Sequence, residues 1–503
     1  MIIDELKYKI LQQFGYSPTP EQAHALDVFA QFMTDPNPHS VMILRGSAGT
    51  GKTSLSGAIV RTLKAIRQKV MLLAPTGRAA KVFSLSSGVP AYTIHRRIYR
   101  EKAFAGVDGQ FNLNDNLYTD TLFMVDEASM IANMGLGGTT FGSGCLLDDL
   151  IQFVYQGHND RLLLIGDKAQ LPPIGEEESP ALHAVVLEGY GLKVYECDLN
   201  EVLRQSQQSG ILYNATMIRQ MITHDDITQL PKIHFSGFSD IKEMPGSELI
   251  EALADSYHHV GLDDTIVVTR SNKRANIFNQ GIRNMVLDRE EELSQGDILM
   301  IVKNNYYWTE KERKELEVRS EELGVNASAT DVNHKVQSNE IPSFLANGDR
   351  AKVLRVRRRI DLYGFHFATL LLQFPDYDNY ELEATVLLDT LTSEAPALTH
   401  EQQEMLFHQV EEDYQDISLK TDRMKAIRND KFYNALQVKF AYAVTCHKAQ
   451  GGQWAHVYVD QGYMTDDMLT PDYIHWLYTA FTRATEMLYL VNWPKTQNAD
   501  SPQ

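Results

Sequence analysis

Residues 46–53 read Gly46-Ser47-Ala48-Gly49-Thr50-Gly51-Lys52-Thr53, which fits G-x-x-x-x-G-K-[ST]. That spacing suits one kind of chemistry. Glycines let successive backbone N–H groups close around a phosphate, the lysine adds a point cation, and the final hydroxyl reaches a divalent metal. These eight residues are expected to hold the phosphates of a nucleoside triphosphate. A second set, Asp126-Glu127, closes the apolar run Thr121-Leu-Phe-Met-Val125. Asp126 is expected to hold Mg2+ together with the Thr53 hydroxyl, and Glu127 to polarise the attacking water. Helix capping explains one acid at such a place, but not an acid pair ending a buried strand. A third set, Gly166-Asp167-Lys-Ala-Gln170, follows the run Arg161-Leu-Leu-Leu-Ile165 and places Gln170 to touch a γ-phosphate or its water.

Such groups need a frame whose strands end together. Val41–Leu44, Val70–Ala74, Thr121–Val125 and Arg161–Ile165 are apolar on both faces, as in a parallel sheet covered by helices, and the acid pair is expected on a strand neighbouring the phosphate loop. A second series runs through Thr265–Val268, Phe440–Val444, His456–Val459 and Met487–Val491. Two doubly wound α/β units are the natural reading. Between Thr93 and Tyr118 the pattern turns basic, then turn-like at Ala105–Gly109, which predicts a projecting hairpin. From about Glu291 to Asp430 the alternation stops, and an inserted β-rich domain is expected there, with Ala351–Arg359 as a strand and Glu401–Asp416 as an acidic helical stretch. The charge run from Glu310 reads as a solvated face, and Gly135–Gly144 as a flexible connection.

The chain has 503 residues, which implies about three or four domains. Hydrophobic residues make up 43% and charged residues 22%, so disorder, collagen and coiled-coil arrays are poor readings. Forty-seven Lys and Arg against 66 Asp and Glu give a net charge of −19, so a protein that simply coats nucleic acid is a poor reading. A polyanion would have to lie in a local basic channel. Cys145, Cys197 and Cys446 form no C-x-x-C, so neither a disulfide framework nor a cysteine metal site is encoded. The opening Met1-Ile-Ile-Asp-Glu5 lacks a basic start, and no apolar run approaches the ~18 residues of a membrane helix. A cytoplasmic chain, nucleoid-associated or phage-encoded, is expected.

The string Gly166-Asp-Lys-Ala-Gln-Leu-Pro-Pro173 resembles the third motif of the superfamily-one helicases of the RecD and Dda type. Thr19-Pro-Glu-Gln22, Ala74–Ala80, Asp126–Ser129, Leu199–Gln205, Val444–Gly451 and Leu477–Ala484 follow that family's order from about residue 19 to residue 484. The resemblance implies two tandem RecA-like motor domains, with a pin hairpin and an SH3-like β domain inserted. The first would span 1–92 and 119–205 with the pin at 93–118; the second would span 206–290 and 431–503 around an insertion at 291–430. It further implies that Gln22 reads the adenine edge, that Gln450 and Gly451 line the nucleotide pocket, and that Arg204 and Arg483 are arginine fingers. A fixed guanidinium stabilises the charge of a phosphoryl transition state by roughly three to five orders of magnitude in rate.

Pro75, Thr76, Arg78, His95, Arg96, Arg97, Thr269, Arg270, Asn272, Thr445, His447 and Lys448 carry hydroxyls, amides and cations suited to phosphate and sugar contacts. Phe83, Tyr92, Tyr99 and Trp454 stand near them as candidates for base stacking, against a plain core role. Phe104 or Phe111 would tip the pin and part the strands. The expected activity is an ATP-driven DNA translocase that unwinds duplexes, 5′ to 3′ if the resemblance holds, acting as a monomer on single strands and junctions. Replication or repair proteins would dock on the insertion. RNA remodelling, or a nucleotide-gated recruitment subunit, are the alternatives.

Overall fold

The structure is a computed structural model that describes residues 3–101, 111–135, 142–201, 208–224, 229–322, 341–342 and 344–500. The chain divides into two compact units. One comprises Met1–Leu249, Ser256–Val268 and Cys446–Gln503; the other comprises Ile250–Asp255 and Thr269–Thr445.

The first unit holds a six-stranded, all-parallel sheet in the order Ala91–Thr93, Lys69–Ala74, Thr121–Val125, Arg161–Gly166, Ser40–Gly46, Lys193–Leu199. The phosphate-loop strand is buried along its whole length, because helices cover both faces of its sheet. Helix Pro20–Thr34 begins at a capping box in which Thr19 and Gln22 satisfy each other's backbone N–H groups. It packs Leu26, Phe29 and Phe32 with Leu55, Ile59 and Leu63 of helix Lys52–Ala65 into one core. The acid-pair strand does not neighbour the phosphate-loop strand as expected. Arg161–Gly166 lies between them, so Asp167 ends the adjacent strand. Hydrophobicity marks a strand as central without fixing its neighbours.

The same unit carries a second sheet through Thr265–Thr269, Trp454–Asp460, Ala484–Val491 and Ile241–Met244, in that order. The short strands Ala91–Thr93 and Ile241–Met244 had no sequence signal. Phe440–Val444 is not one strand. It breaks into Leu436–Phe440 and Ala443–Thr445, because Ala441 and Tyr442 turn the chain. The Tyr442 hydroxyl, buried, donates to Asp297 at 2.8 Å. The hairpin is present at its base, where Tyr99–Glu101 pairs antiparallel with Phe111–Leu113; its tip lies outside the described residues.

In the second unit, Ile298–Ile301, Arg350–Leu362, Phe365–Phe374, Tyr380–Leu387 and Leu436–Phe440 form a closed barrel. Closure removes the exposed edges of an open sheet. The last strand lies beyond residue 430, so the barrel needs more chain than the expected insertion gives it. Two bulges, at Val353/Arg355 and Val356/Arg358, explain the imperfect alternation along Arg350–Leu362. The acidic stretch is helix His400–Asp413, whose Leu406 and Val410 pack on Phe365 and Phe367 of the barrel. The charge run forms helix Tyr307–Glu322, anchored by a buried Trp308 whose indole N–H donates to the Asn434 carbonyl at 2.8 Å.

The barrel is pinned at Asp297, which is 0% exposed and accepts from Arg283, Arg289, Tyr442 and the Ser294 amide at 2.7–3.1 Å. Asp297→Ala leaves two guanidinium groups without their buried counter-ion. It should lower stability by about 3–5 kcal/mol in guanidinium unfolding. A loss below about 1 kcal/mol would show that the cluster contributes little.

Candidate nucleotide site

The loop between Ser40–Gly46 and helix Lys52–Ala65 is shaped by absent side chains. A Cβ at Gly46 would lie 2.9 Å from Lys52 Cγ and Thr50 Oγ1 and 3.0 Å from Leu199 Cβ, so only glycine lets the loop turn this tightly. Gly51 opens the helix with φ 82°, which favours glycine for a different reason, and Gly49 shares it at φ 77°. The Thr50 hydroxyl donates to the Ser47 carbonyl at 2.8 Å. Lys52 donates to the carbonyls of Gly46 and Ser47, the second at 2.9 Å, which keeps its ammonium over the loop mouth. Lys52 and Thr53 open the helix that follows the loop.

Gln22 is buried, and both ends of its amide are engaged. Its oxygen accepts from the Thr19 amide at 3.0 Å, and its nitrogen donates to the Thr50 carbonyl at 2.9 Å. It braces the phosphate loop from the capping box. Asp126 follows Thr121–Val125 and accepts from the Glu127 amide at 2.9 Å. Loss of hydration, and then the Glu127 charge beside it, hold the Asp126 carboxyl above the usual carboxylate range. Glu127 itself sits in the left-handed region at φ 52°. A buried carboxyl raised in this way, beside a second carboxyl, is a pair whose charge a hard divalent cation such as Mg2+ would relieve. Gln170 is 6% exposed, and its Oε1 has no hydrogen-bond partner in the described structure. A buried acceptor left open beside a phosphate site fits an oxygen that meets water.

Two groups that sequence reasoning missed, Tyr478 and Arg219, close on the phosphate loop, and a third, Thr479, holds the loop of Gln170. The Tyr478 hydroxyl, from helix Pro471–Phe481, accepts from the Ala48 amide at 3.0 Å and donates to Asp167 at 2.6 Å. Thr479 on the same helix accepts from the Leu171 amide at 2.8 Å, and Gln450 donates to the Leu171 carbonyl at 2.8 Å. Arg219, from helix Gly210–Thr223, donates to the Ser47 hydroxyl and to the Asn200 side chain at 3.4 Å. Tyr478 and Thr479 lie inside a string already singled out, where the arginine drew the attention; Arg219 has no motif signal of its own.

Arg483 is placed otherwise than a finger requires. It is buried, and its guanidinium donates to the Thr479 and Gly452 carbonyls at 2.9 and 3.0 Å and to the Thr482 hydroxyl at 3.1 Å. Arg204 lies outside the described residues. Gly451, at φ 75°, packs so that a Cβ would meet Ala79 Cβ and Thr76 Oγ1 at 3.2 Å. Gln450 and Gly451 therefore adjoin the loops after Asp167 and Pro75.

Of the nucleic-acid candidates, Thr76 caps helix Gly77–Ser87, following Pro75, and Arg78 lies 4.3 Å over Trp454 while donating to the Gln453 carbonyl at 2.6 Å. Trp454, Phe83 and Tyr99 are buried, so they serve as core and not as stacking platforms. Tyr99 donates to the buried Asp149 at 2.7 Å. Tyr92 remains half-buried, with Arg97 4.0 Å and Arg96 5.4 Å from its ring centroid. Burial pushes the His95 imidazole down to about 4, so near neutral pH it is uncharged. His447 is exposed and Lys448 half-buried. In the second unit Arg270 is exposed, Asn272 and Thr445 are half-buried, and the Thr269 hydroxyl donates to the Ser271 carbonyl at 3.1 Å. Phe111 does not tip the hairpin: it is buried at the base, where Phe111–Leu113 pairs with Tyr99–Glu101. Phe104 lies outside the described residues. No group of three or more metal-ligating side chains occurs among the described residues, and no described helix is long and apolar enough to cross a membrane.

Comparison with known proteins adds two domain assignments. Residues 18–230 match the AAA domain family, and residues 440–491 match the UvrD-like helicase C-terminal domain. Among curated proteins, the ATP-dependent RecD2 DNA helicase of Deinococcus radiodurans is 32% identical over 155 residues, covering 31% of this chain and 18% of the relative. An uncharacterized protein of Methanocaldococcus jannaschii is 32% identical over 167 residues, 31% of this chain and 13% of its own. The chain thus spans less than a fifth of either relative. An uncharacterized protein of Acanthamoeba polyphaga mimivirus is 21% identical over 525 residues, 90% of this chain and 95% of that one. Among solved structures, a Pif1 helicase from Bacteroides in complex with ADP-AlF3 and ssDNA aligns over 97% of this chain and 95% of its own, at 13% identity and a TM-score of 0.45.

The raised Asp126 makes a pH test direct. Its protonated fraction grows as pH falls toward the carboxylate range, and a protonated carboxyl cannot ligate a cation. Mg2+-dependent nucleotide affinity should therefore fall on the acid side. Glu127→Gln removes the like charge and should move that acid limb to lower pH. An unmoved limb would assign the titration to another group.

Proposed function

We propose that this chain, a superfamily-one helicase of the RecD type by its two motor-domain matches and the order of its motifs, is an ATP-dependent DNA helicase. It would couple hydrolysis to movement along single-stranded DNA, from 5′ to 3′, and to opening of duplexes at junctions. The observation that carries this reading is the composition of the loop's surroundings: Tyr478 and Arg219 come from helices that pack on one another beside the second sheet, and both reach the phosphate loop of the first.

In this reading the loop amides and Lys52 bind the β- and γ-phosphates, while Gln22 and Thr50 keep the loop in its binding shape. A cation held by Thr53 and Asp126 would neutralise charge on the phosphates. Glu127 orients a water and takes up its proton, and the open Oε1 of Gln170 accepts from that water. Arg219 stands where a guanidinium can meet charge building on the transferred phosphoryl group. Closure of the pocket then depends on the second sheet's helices, and a γ-phosphate that is present only before hydrolysis biases that closure. Phosphate and sugar contacts through Thr76, Arg96, Arg97 and Lys448 would make the grip on the strand independent of sequence.

The test is ATP turnover with and without single-stranded DNA or matched RNA, together with strand displacement on duplexes bearing a 5′ or a 3′ tail. Strong stimulation by DNA and displacement from the 5′ tail are expected. Turnover indifferent to DNA removes the reading, and preference for RNA replaces its substrate. Lys52→Ala should abolish turnover. Arg219→Ala should lower it by about tenfold or more, since fingers elsewhere contribute roughly three to five orders of magnitude. A fully active Arg219→Ala would leave that role to another arginine.

A further inference from the structure

The loop that carries Gln170 is held from outside its own sheet at three points. Thr479 accepts from the Leu171 amide at 2.8 Å, Gln450 donates to the Leu171 carbonyl at 2.8 Å, and His475 meets the Ala169 carbonyl at 3.0 Å. A fourth link differs from these because it joins two functional loops at once. The Tyr478 hydroxyl takes the Ala48 N–H of the phosphate loop and gives its proton to Asp167, whose other oxygen accepts from the Ala169 amide at 3.0 Å. Tyr478 is 1% exposed and Asp167 is 4% exposed, so water does not replace these bonds.

Asp167 creates an electrostatic problem. A buried carboxylate two hydrogen bonds from a phosphate-loop amide would repel an incoming triphosphate, and in low dielectric such repulsion is strong. The Tyr478 O–H engages one Asp167 oxygen in a charge-assisted bond and fixes its direction. Burial keeps that hydroxyl protonated, far above its ordinary range, so it remains a donor at any working pH.

We propose that Tyr478 is a positioning residue for ATP: it holds and screens the Asp167 carboxylate and ties the phosphate loop to the Gln170 loop, so that both take up their binding geometry together. The proposal rests on the ATP-driven reading of this site. It assigns no chemical step to Tyr478, which acts through Ala48 and Asp167.

The experiment measures the dissociation constant of a fluorescent ATP analogue with Mg2+ for the full chain and three variants. Tyr478→Phe keeps the ring and removes the hydroxyl, leaving an unpaired amide and an unshielded carboxylate; affinity should fall about tenfold, equivalent to about 1.4 kcal/mol. Adding Asp167→Asn to that variant removes the repelling charge and should return affinity to within about threefold of wild type, a rescue that damaged packing would not give. Asp167→Asn alone removes the repelling charge while the Tyr478 hydroxyl still accepts from Ala48, and should tighten binding by about threefold; this arm keeps the test decisive if Tyr478→Phe folds poorly. Unchanged binding in Tyr478→Phe, a double variant as weak as Tyr478→Phe, or binding no tighter than wild type in Asp167→Asn overturns the proposal. Wild-type turnover that ignores DNA, with this affinity pattern intact, would instead sink the helicase reading and leave the inference standing.

Discussion

Everything at the nucleotide site depends on a turn that leaves no room for a Cβ. Gly46 ends a wholly buried strand against Lys52, Thr50 and Leu199, and the chain must turn there into a helix whose first residue is Lys52. A larger residue at 46 would push Lys52 and the loop amides apart, and convergence of those amides is what makes an anion site. The glycine thereby makes the strand end, the loop and the helix start one rigid object. Its rigidity is the reason that contacts from other elements can carry meaning: a hydroxyl on Ala48 reads a fixed position, not a wandering one.

The pocket is then completed by groups with ordinary chemistry in unusual company. Asp126 loses hydration next to Glu127, so the pair suits a cation. Asp167, at the end of the adjacent strand, is tied by a tyrosine rather than left to face the phosphates. Gln170 keeps an oxygen open while its backbone neighbours are held on both sides. Arg483, by contrast, has its nitrogens engaged by its own neighbourhood, and Arg219 is the described guanidinium on the phosphate loop. The difference is one of direction: both arginines have a suitable charge, but one side chain is folded onto backbone carbonyls.

A chain with net charge −19 would have to meet any polyanion locally, through small clusters rather than an overall field. Arg96 and Arg97 over Tyr92 form one such cluster in the first unit. The exposed Arg355, Arg357 and Arg358 along a bulged barrel strand form another in the second, with Arg357 paired to Glu383 at 2.9 Å.

Much of the site was legible in the sequence, because a phosphate loop is a local object: its glycines, lysine and threonine are consecutive, and the strand before it announces itself by unbroken hydrophobicity. The acid pair and the Gln170 loop were legible for the same reason. Aromatic roles were not, since Trp454, Phe83 and Phe111 look alike whether they face solvent or core, and only packing buried them. Strand order was not either: apolar runs state that strands are central, while the insertion of Arg161–Gly166 between the loop strand and the acid-pair strand is decided by how helices cross the sheet. The barrel's boundary escaped because its closing strand runs without a break in hydrophobicity toward the next one. Local spacing therefore determined the triphosphate chemistry by itself, whereas the partners brought from hundreds of residues away, Tyr478 on Ala48 and Arg219 on Ser47, were decided by the tertiary fold, because a long-range hydrogen bond leaves no periodic trace in the chain.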